Sequence, residues 1–172
     1  PAHIKAIALD KTGTLTQGKP EVQRIVPMNG HNETELLERA AALEQGSEHP
    51  LARAVLARAR AAGVEVAPAT GFQALKGKGA EAQIGGRNFW IGSHNLLHEK
   101  GAETPEVHDT AQSMEDAGHS VIVIGNDSHV CGLLSVGDVV RAESTASIAA
   151  MKAAGIGYVV MLTGDNKGTA KA

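Results

Sequence analysis

A short apolar run that ends in a carboxylate sets the terms for this chain. Ile4 to Leu9 is apolar apart from Lys5, and Asp10-Lys11-Thr12-Gly13-Thr14-Leu15-Thr16 follows at once. A run of that length without clean alternation predicts a strand buried on both faces of a parallel sheet. Such a sheet implies α/β layering, with ligands gathering at the carboxyl ends of its strands. An aspartate delivered there, followed by small hydroxyl residues and a glycine, suits the nucleophile of covalent phosphoryl chemistry. The bland alternative for Asp10 alone is an Asx turn or a helix cap.

The same logic returns near the other end. Ala142 to Ala154 reads as a helix stopped by Gly155, and Gly157 to Leu162 as an apolar strand that runs into Thr163-Gly164-Asp165-Asn166. Between these parts the pattern changes. Asn32-Glu33-Thr34-Glu35 has the form of a capping box at the start of a helix, and Ser47 is placed to cap a second helix with Pro50 in its first turn. Short strands are expected at 64–66, 72–75 and 79–84, with Gly85-Gly86 turning the last into Arg87–Ile91. Helices over 94–100 and 105–117 precede a second hairpin around Asn126-Asp127. Residues 21–135 thus read as an α+β domain inserted into an α/β domain made of 1–20 and 136–172, and the crossings near 20 and 137 form a double-stranded hinge.

A net charge of −3 leaves no electrostatic footprint for nucleic acid. The single cysteine, Cys131, excludes an internal disulfide framework and sits in an apolar strand, where a buried inert thiol is expected. No apolar run approaches the ~20 residues of a membrane helix.

Asp10-Lys11-Thr12-Gly13-Thr14-Leu15-Thr16 resembles the phosphorylation signature of the P-type ATPases. The resemblance implies a haloacid-dehalogenase-like phosphorylation domain in which Asp10 takes the γ-phosphoryl group of ATP, Lys11 and Thr12 assist, and Asp10 and Thr12 contribute to a partial Mg2+ site. Soluble phosphatases of that superfamily usually carry an acid two residues after the nucleophile. Thr12 stands there instead, so the phosphoenzyme is expected to break down slowly.

Thr163-Gly164-Asp165 resembles the second loop of the family, which holds phosphate oxygens, with Asp165 toward the nucleotide or the hinge. Asp138 and Arg141 resemble its hinge pair, expected as a salt bridge or as ligand contacts. Ser47-Glu48-His49-Pro50-Leu51 resembles the adenine-binding signature of the heavy-metal branch, in which His49 would orient ATP and Glu48 lie against the base. Gly77-Lys78-Gly79 is the matching polyphosphate approach, Lys78 adding charge, and Gly92-Ser93 resembles the last nucleotide-contacting segment.

Two further features read as structural. Trp90 is expected to pack in the sheet, and His94 with His98, spaced i,i+4, lack a third metal ligand in sequence reach. The family's Gly-Asp-Gly loop with its magnesium ligands does not occur in the 172 residues, which implies a chain that binds ATP but turns it over poorly or not at all. The resemblance therefore implies the cytosolic part of an integral plasma- or inner-membrane pump, whose partners are ATP, the rest of the pump and a transported transition-metal ion, with cobalt or zinc favoured. The competing readings are a soluble phosphatase with a cap domain and a non-catalytic nucleotide-binding regulatory module.

Overall fold

The computed structural model describes residues 4–162, except for the side chain of Thr12. Two sheets organise it. The smaller pairs β1 (Ala6–Asp10) in parallel with β8 (Tyr158–Leu162), and α5 (Ala142–Ala153) packs against β8. The larger is a six-stranded antiparallel sheet in the order β2-β7-β6-β5-β4-β3. Its strands are β2 (Thr16–Pro27), β3 (Ala69–Leu75), β4 (Gly79–Ile84), β5 (Arg87–Gly92), β6 (Ser120–Asn126) and β7 (Val130–Val140).

Four helices cover this sheet: α1 (Glu33–Glu44), α2 (Pro50–Ala61), α3 (His94–Glu99) and α4 (Pro105–Asp116). Successive strand residues point to opposite faces, and each face has its own core. Ile122, Ile124, Leu134 and Val136 pack with Leu36, Leu43 and Val55 of α1 and α2. Val121, Val123 and Leu133 pack with Leu97 of α3 and Val107, Ala111 and Met114 of α4. The central strands β6 and β7 are therefore covered on both sides, which explains their unbroken apolar sequence.

Trp90 belongs to the second core, its indole N–H donating to the Asn126 carbonyl at 3.1 Å. A Cβ on Gly125 would stand 2.3 Å from the Trp90 ring, so the glycine makes room for it. Trp90 is a packing residue, and Cys131, fully buried with its thiol pushed up by burial, is inert as expected. The capping box also forms: Asn32 Oδ1 accepts from the Glu35 N–H at 2.9 Å, and Glu35 Oε2 accepts from the Asn32 N–H at 3.4 Å.

Three expectations are corrected. No strand forms at 64–66, where the chain runs irregularly toward β3. Ser47 does not cap α2; His49 does, its Nδ1 accepting from the Leu51 N–H at 3.2 Å. The stretch 17–20 lies within β2 as a break in register between Thr16 and Pro20, and Pro20 is tolerated because β2 is an edge strand. Among the described residues β1 is not buried on both faces: its residues alternate between exposed and half-buried, with β8 as its one described strand neighbour.

Candidate functional site

Asp10 ends β1 in register with Leu162, the last residue of β8. The parallel pairing puts the carboxyl ends of both strands on one edge. The Asp10 side chain is exposed there and makes no capping hydrogen bond to the π-helical turn Lys11–Leu15 that follows. Thr163, Gly164 and Asp165 lie outside the described residues, as does the Thr12 side chain.

The Asp10 loop is gripped from the other crossing of the chain. The Thr16 hydroxyl, buried, donates to Asp138 Oδ2 and accepts from the Gly13 N–H at 3.3 Å. Asp138 also accepts the backbone N–H groups of Gly18 at 3.2 Å and Lys19 at 2.8 Å. These are donors that β7 would otherwise pair, which is how the register break in β2 is satisfied. Arg141 donates from Nε to the Thr16 carbonyl at 2.9 Å and from Nη2 to the Gly13 carbonyl at 3.1 Å. The Ser144 hydroxyl donates to the Leu15 carbonyl at 2.7 Å. The expected Asp138–Arg141 salt bridge does not form. Each residue is instead spent on the backbone of the loop and of the hinge, one taking donors and the other acceptors. A cleft of about 550 Å³ opens beside this assembly, with Lys11, Thr16, His119, Asp138, Ser144 and Met161 in its wall.

The second group of residues lies in the larger sheet. Gly79 and Gly92 face each other across β4 and β5. A Cβ on Gly79 would stand 1.9 Å from the Ile91 carbonyl oxygen, and one on Gly92 2.4 Å from the Lys78 carbonyl oxygen. Only hydrogens fit at this crossing. The Ser93 N–H donates to the Lys78 carbonyl at 3.2 Å, so the Gly77–Gly79 turn and the Gly92-Ser93 segment form one backbone unit. Ser93 sits at the N-cap of α3 while its hydroxyl makes no capping bond. Lys78 is not poised over this unit. Its Nζ pairs with Glu99 at 2.8 Å, both side chains half-exposed, a contact worth about 0–1 kcal/mol.

Glu48 and His49 are exposed on the connection between α1 and α2, and α1 packs over β4 and β5. No hydrogen bond joins them to the glycine crossing among the described residues. Because His49 Nδ1 accepts from Leu51, the neutral ring carries its proton on Nε2 and presents a donor to solvent.

Nothing in the local pattern marks Glu44 as part of this group, yet the structure does. It is half-buried near Ser47 and His49, and burial pushes its carboxyl above the ordinary range against lowering contributions from both. With the folded-state pKa raised, the folded protein binds more protons than the unfolded chain across the window above 4.5, so stability falls as pH rises through it. Glu44→Gln is therefore expected to raise the melting temperature at pH 7.5 and to change it little at pH 4. A lower melting temperature at pH 7.5 would mean that the ionised carboxylate is well satisfied. A destabilising carboxylate beside His49 has the character of a binding residue.

A model of the haloacid dehalogenase-like hydrolases matches residues 4–172. The chain belongs to that family. Within it, the haloacid dehalogenase-like chain is 36% identical over 170 residues to the copper-exporting P-type ATPase of Bacillus subtilis, covering 99% of this chain and 21% of that protein. It is 38% identical over 170 residues to the zinc/cadmium/lead-transporting P-type ATPase of Escherichia coli, covering 99% of this chain and 22% of that protein. A crystal structure of a zinc-transporting PIB-type ATPase in its E2.Pi state matches with a TM-score of 0.85 and 37% identity, over 98% of this chain and 27% of that one. The heavy-metal P-type ATPases are thus its relatives over nearly its whole length, while the chain spans about a fifth of the length of these curated relatives. No helix among the described residues is long and apolar enough to cross a membrane.

Proposed function

We propose that this chain is the ATP-binding and phosphorylation region of a heavy-metal pump, built as an inserted nucleotide-binding domain over 21–135 between two parts of a phosphorylation domain. The observation that carries the reading is the placement of Asp10: an exposed carboxylate with no hydrogen bond of its own to the turn that follows, on a loop that Asp138, Arg141 and Ser144 hold rigid. A nucleophile needs both freedom from competing bonds and a fixed backbone.

Asp10 would attack the γ-phosphorus of ATP. One carboxylate oxygen forms the new P–O bond, the bond to the β–γ bridging oxygen breaks, and ADP leaves. Lys11 would offset charge on the transferred group, Thr12, Thr163 and Gly164 would hold phosphate oxygens, and Asp165 would face the nucleotide or the hinge. Mg2+, a hard cation that takes oxygen ligands, fits the Asp10 carboxylate and the Thr12 position and would neutralise phosphate charge. Glu44, Glu48 and His49 would take the adenine end, with His49 Nε2–H as donor. Gly77, with open space where its Cβ would stand, would let the phosphates approach, while Gly79, Gly92 and Ser93 would hold the backbone of that turn in place.

The family model alone fits a free-standing phosphatase equally well; Thr12 in the acid position and the P-type relatives favour the pump. The transported ion would be a transition metal, zinc or cobalt in our reading, supported by the zinc-transporting structure. Copper exporters are 36% and 39% identical and the zinc/cadmium/lead transporter 38%, so the choice of ion would rest on membrane residues rather than on this region. The pump's cytosolic side of the plasma or inner membrane is where this region would work. The test is phosphate transfer from ATP in the complete protein, with Asp10 as the variable.

A further inference from the structure

We propose that His94, Glu103 and His108 form a binding site for a borderline divalent transition-metal ion, of the Zn2+ and Co2+ class, on the α3–α4 side of the larger sheet. The i,i+4 spacing of His94 and His98 was incomplete without a third ligand, and the fold supplies it from the α3–α4 connection and the first turns of α4. His94 Nε2 and His108 Nδ1 each lie 2.8 Å from Glu103 Oε1, and one ligand atom from each of the three residues falls within 4.8 Å of the others. Zinc bound at 2.0–2.1 Å to nitrogen and oxygen in a tetrahedron sets neighbouring ligand atoms about 3.3 Å apart. An opening of about half an ångström at the two short contacts makes room for the ion.

Three further observations separate this cluster from an ordinary ion-pair network. His94 turns its other nitrogen, Nδ1, toward Glu115 Oε1 at 3.3 Å, the outer carboxylate that metal-bound imidazoles characteristically carry. His98 supplies a fourth candidate ligand, its Nδ1 2.6 Å from Glu103 Oε2 and its ring stacked on that of His94 at 5.0 Å between centroids. The inner residues His94 and Glu103 are 15% and 19% exposed, while His98 and His108 are about half exposed, so the pocket has a dry floor and an open entrance. Imidazole and carboxylate together suit zinc or cobalt and leave Mg2+, which prefers oxygen alone, a poor competitor.

A second set, His31, His129 and Cys131, meets the same distance criterion. It is the weaker candidate. Arg39 Nη1 lies 2.9 Å from His31 Nδ1, placing a fixed cation against the site, and burial opposes formation of the Cys131 thiolate. The His94 site also has a consequence of position. His94 follows Ser93 directly, so an ion there would sit beside the backbone unit assigned to the nucleotide phosphates.

The test is calorimetric titration of Zn2+ into the chain in excess Mg2+, followed by Co2+ substitution and visible spectroscopy. One ion per chain is expected, with the intense d–d bands of four- or five-coordinate Co2+. His108→Ala, at a half-exposed position that folding tolerates, should weaken binding at least about tenfold, and Glu115→Gln by about 10- to 100-fold through loss of the outer carboxylate. Zn2+ should raise the melting temperature of the unmodified chain and not that of His108→Ala. The double substitution His31→Ala with Cys131→Ser should leave the affinity unchanged. The proposal is overturned if Zn2+ does not bind, if His94→Ala and His108→Ala bind it as tightly as the unmodified chain, or if the double substitution abolishes binding.

Discussion

The complete protein carrying Asp10→Asn is expected to form no phosphoenzyme from ATP, a loss of about 10³-fold or more against the unmodified protein. The asparagine amide matches the carboxylate in shape, and Asp10 is exposed and makes no capping bond, so the substitution removes nothing that holds the fold. What it removes is the nucleophile: an amide oxygen carries no charge to donate to phosphorus. Acid-quenched labelling with ATP radioactive at the γ-position reads the outcome, and hydroxylamine lability identifies the acyl phosphate. Nucleotide affinity should change little, because the adenine contacts assigned to Glu44, Glu48 and His49 and the Gly77–Gly79 turn stand with the larger sheet, and the substitution leaves them in place. Label retained on the asparagine variant would move the nucleophile elsewhere and sink the assignment.

The largest expected effect on stability comes from Gly79→Ala. The new methyl would stand 1.9 Å from the Ile91 carbonyl oxygen and 2.7 Å from the Gly92 Cα, both backbone atoms in a paired strand that cannot step aside. A φ of +153° adds strain for any L side chain. We expect destabilisation of about 3–5 kcal/mol, and at roughly 2–4 °C per kcal/mol a fall in melting temperature on the order of 10 °C. Gly77→Ala is the control. Its φ is +72°, but nothing lies within 4 Å of the added Cβ, so only the conformational cost of about 1–2 kcal/mol applies. Equal melting temperatures for the two variants, followed by circular dichroism, would show that the β4–β5 crossing is looser than its backbone distances imply.

What was legible in the sequence is what depends on neighbours along the chain. The strand-to-loop passage at Asp10, the capping box at Asn32 and Glu35, and the Gly85-Gly86 hairpin each need only a few consecutive residues. The parts that were not legible depend on contacts between distant segments. Asp138 meets Thr16, Gly18 and Lys19 from about 120 positions away, and no local pattern says that it takes their donors instead of pairing with Arg141. Glu44 ends a helix like many surface glutamates until the next turn folds over it. Glu103 and His108 fall outside the helical period that relates His94 to His98, and only the α3–α4 connection brings them together. The exposure of β1 is of the same kind, since an apolar strand reads alike whether or not its sheet has further layers.

The central claim is that His49 faces a nucleotide, and its capping role means that a single alanine variant cannot test it. Two variants can. His49→Ala removes both the cap to Leu51 and the Nε2 donor, whereas His49→Asn keeps a strong N-cap acceptor and loses the imidazole ring with its Nε2 donor, the shorter amide N–H groups falling short of that position. Calorimetric titration with a non-hydrolysable ATP analogue is expected to give a dissociation constant of roughly 0.1–1 mM for the unmodified chain, about −4 to −5.5 kcal/mol. Both variants should bind at least about tenfold more weakly, a loss of about 1.4 kcal/mol. If His49→Asn binds as the unmodified chain does, His49 is only a cap, and the nucleotide site assigned to the α1–α2 connection is wrong.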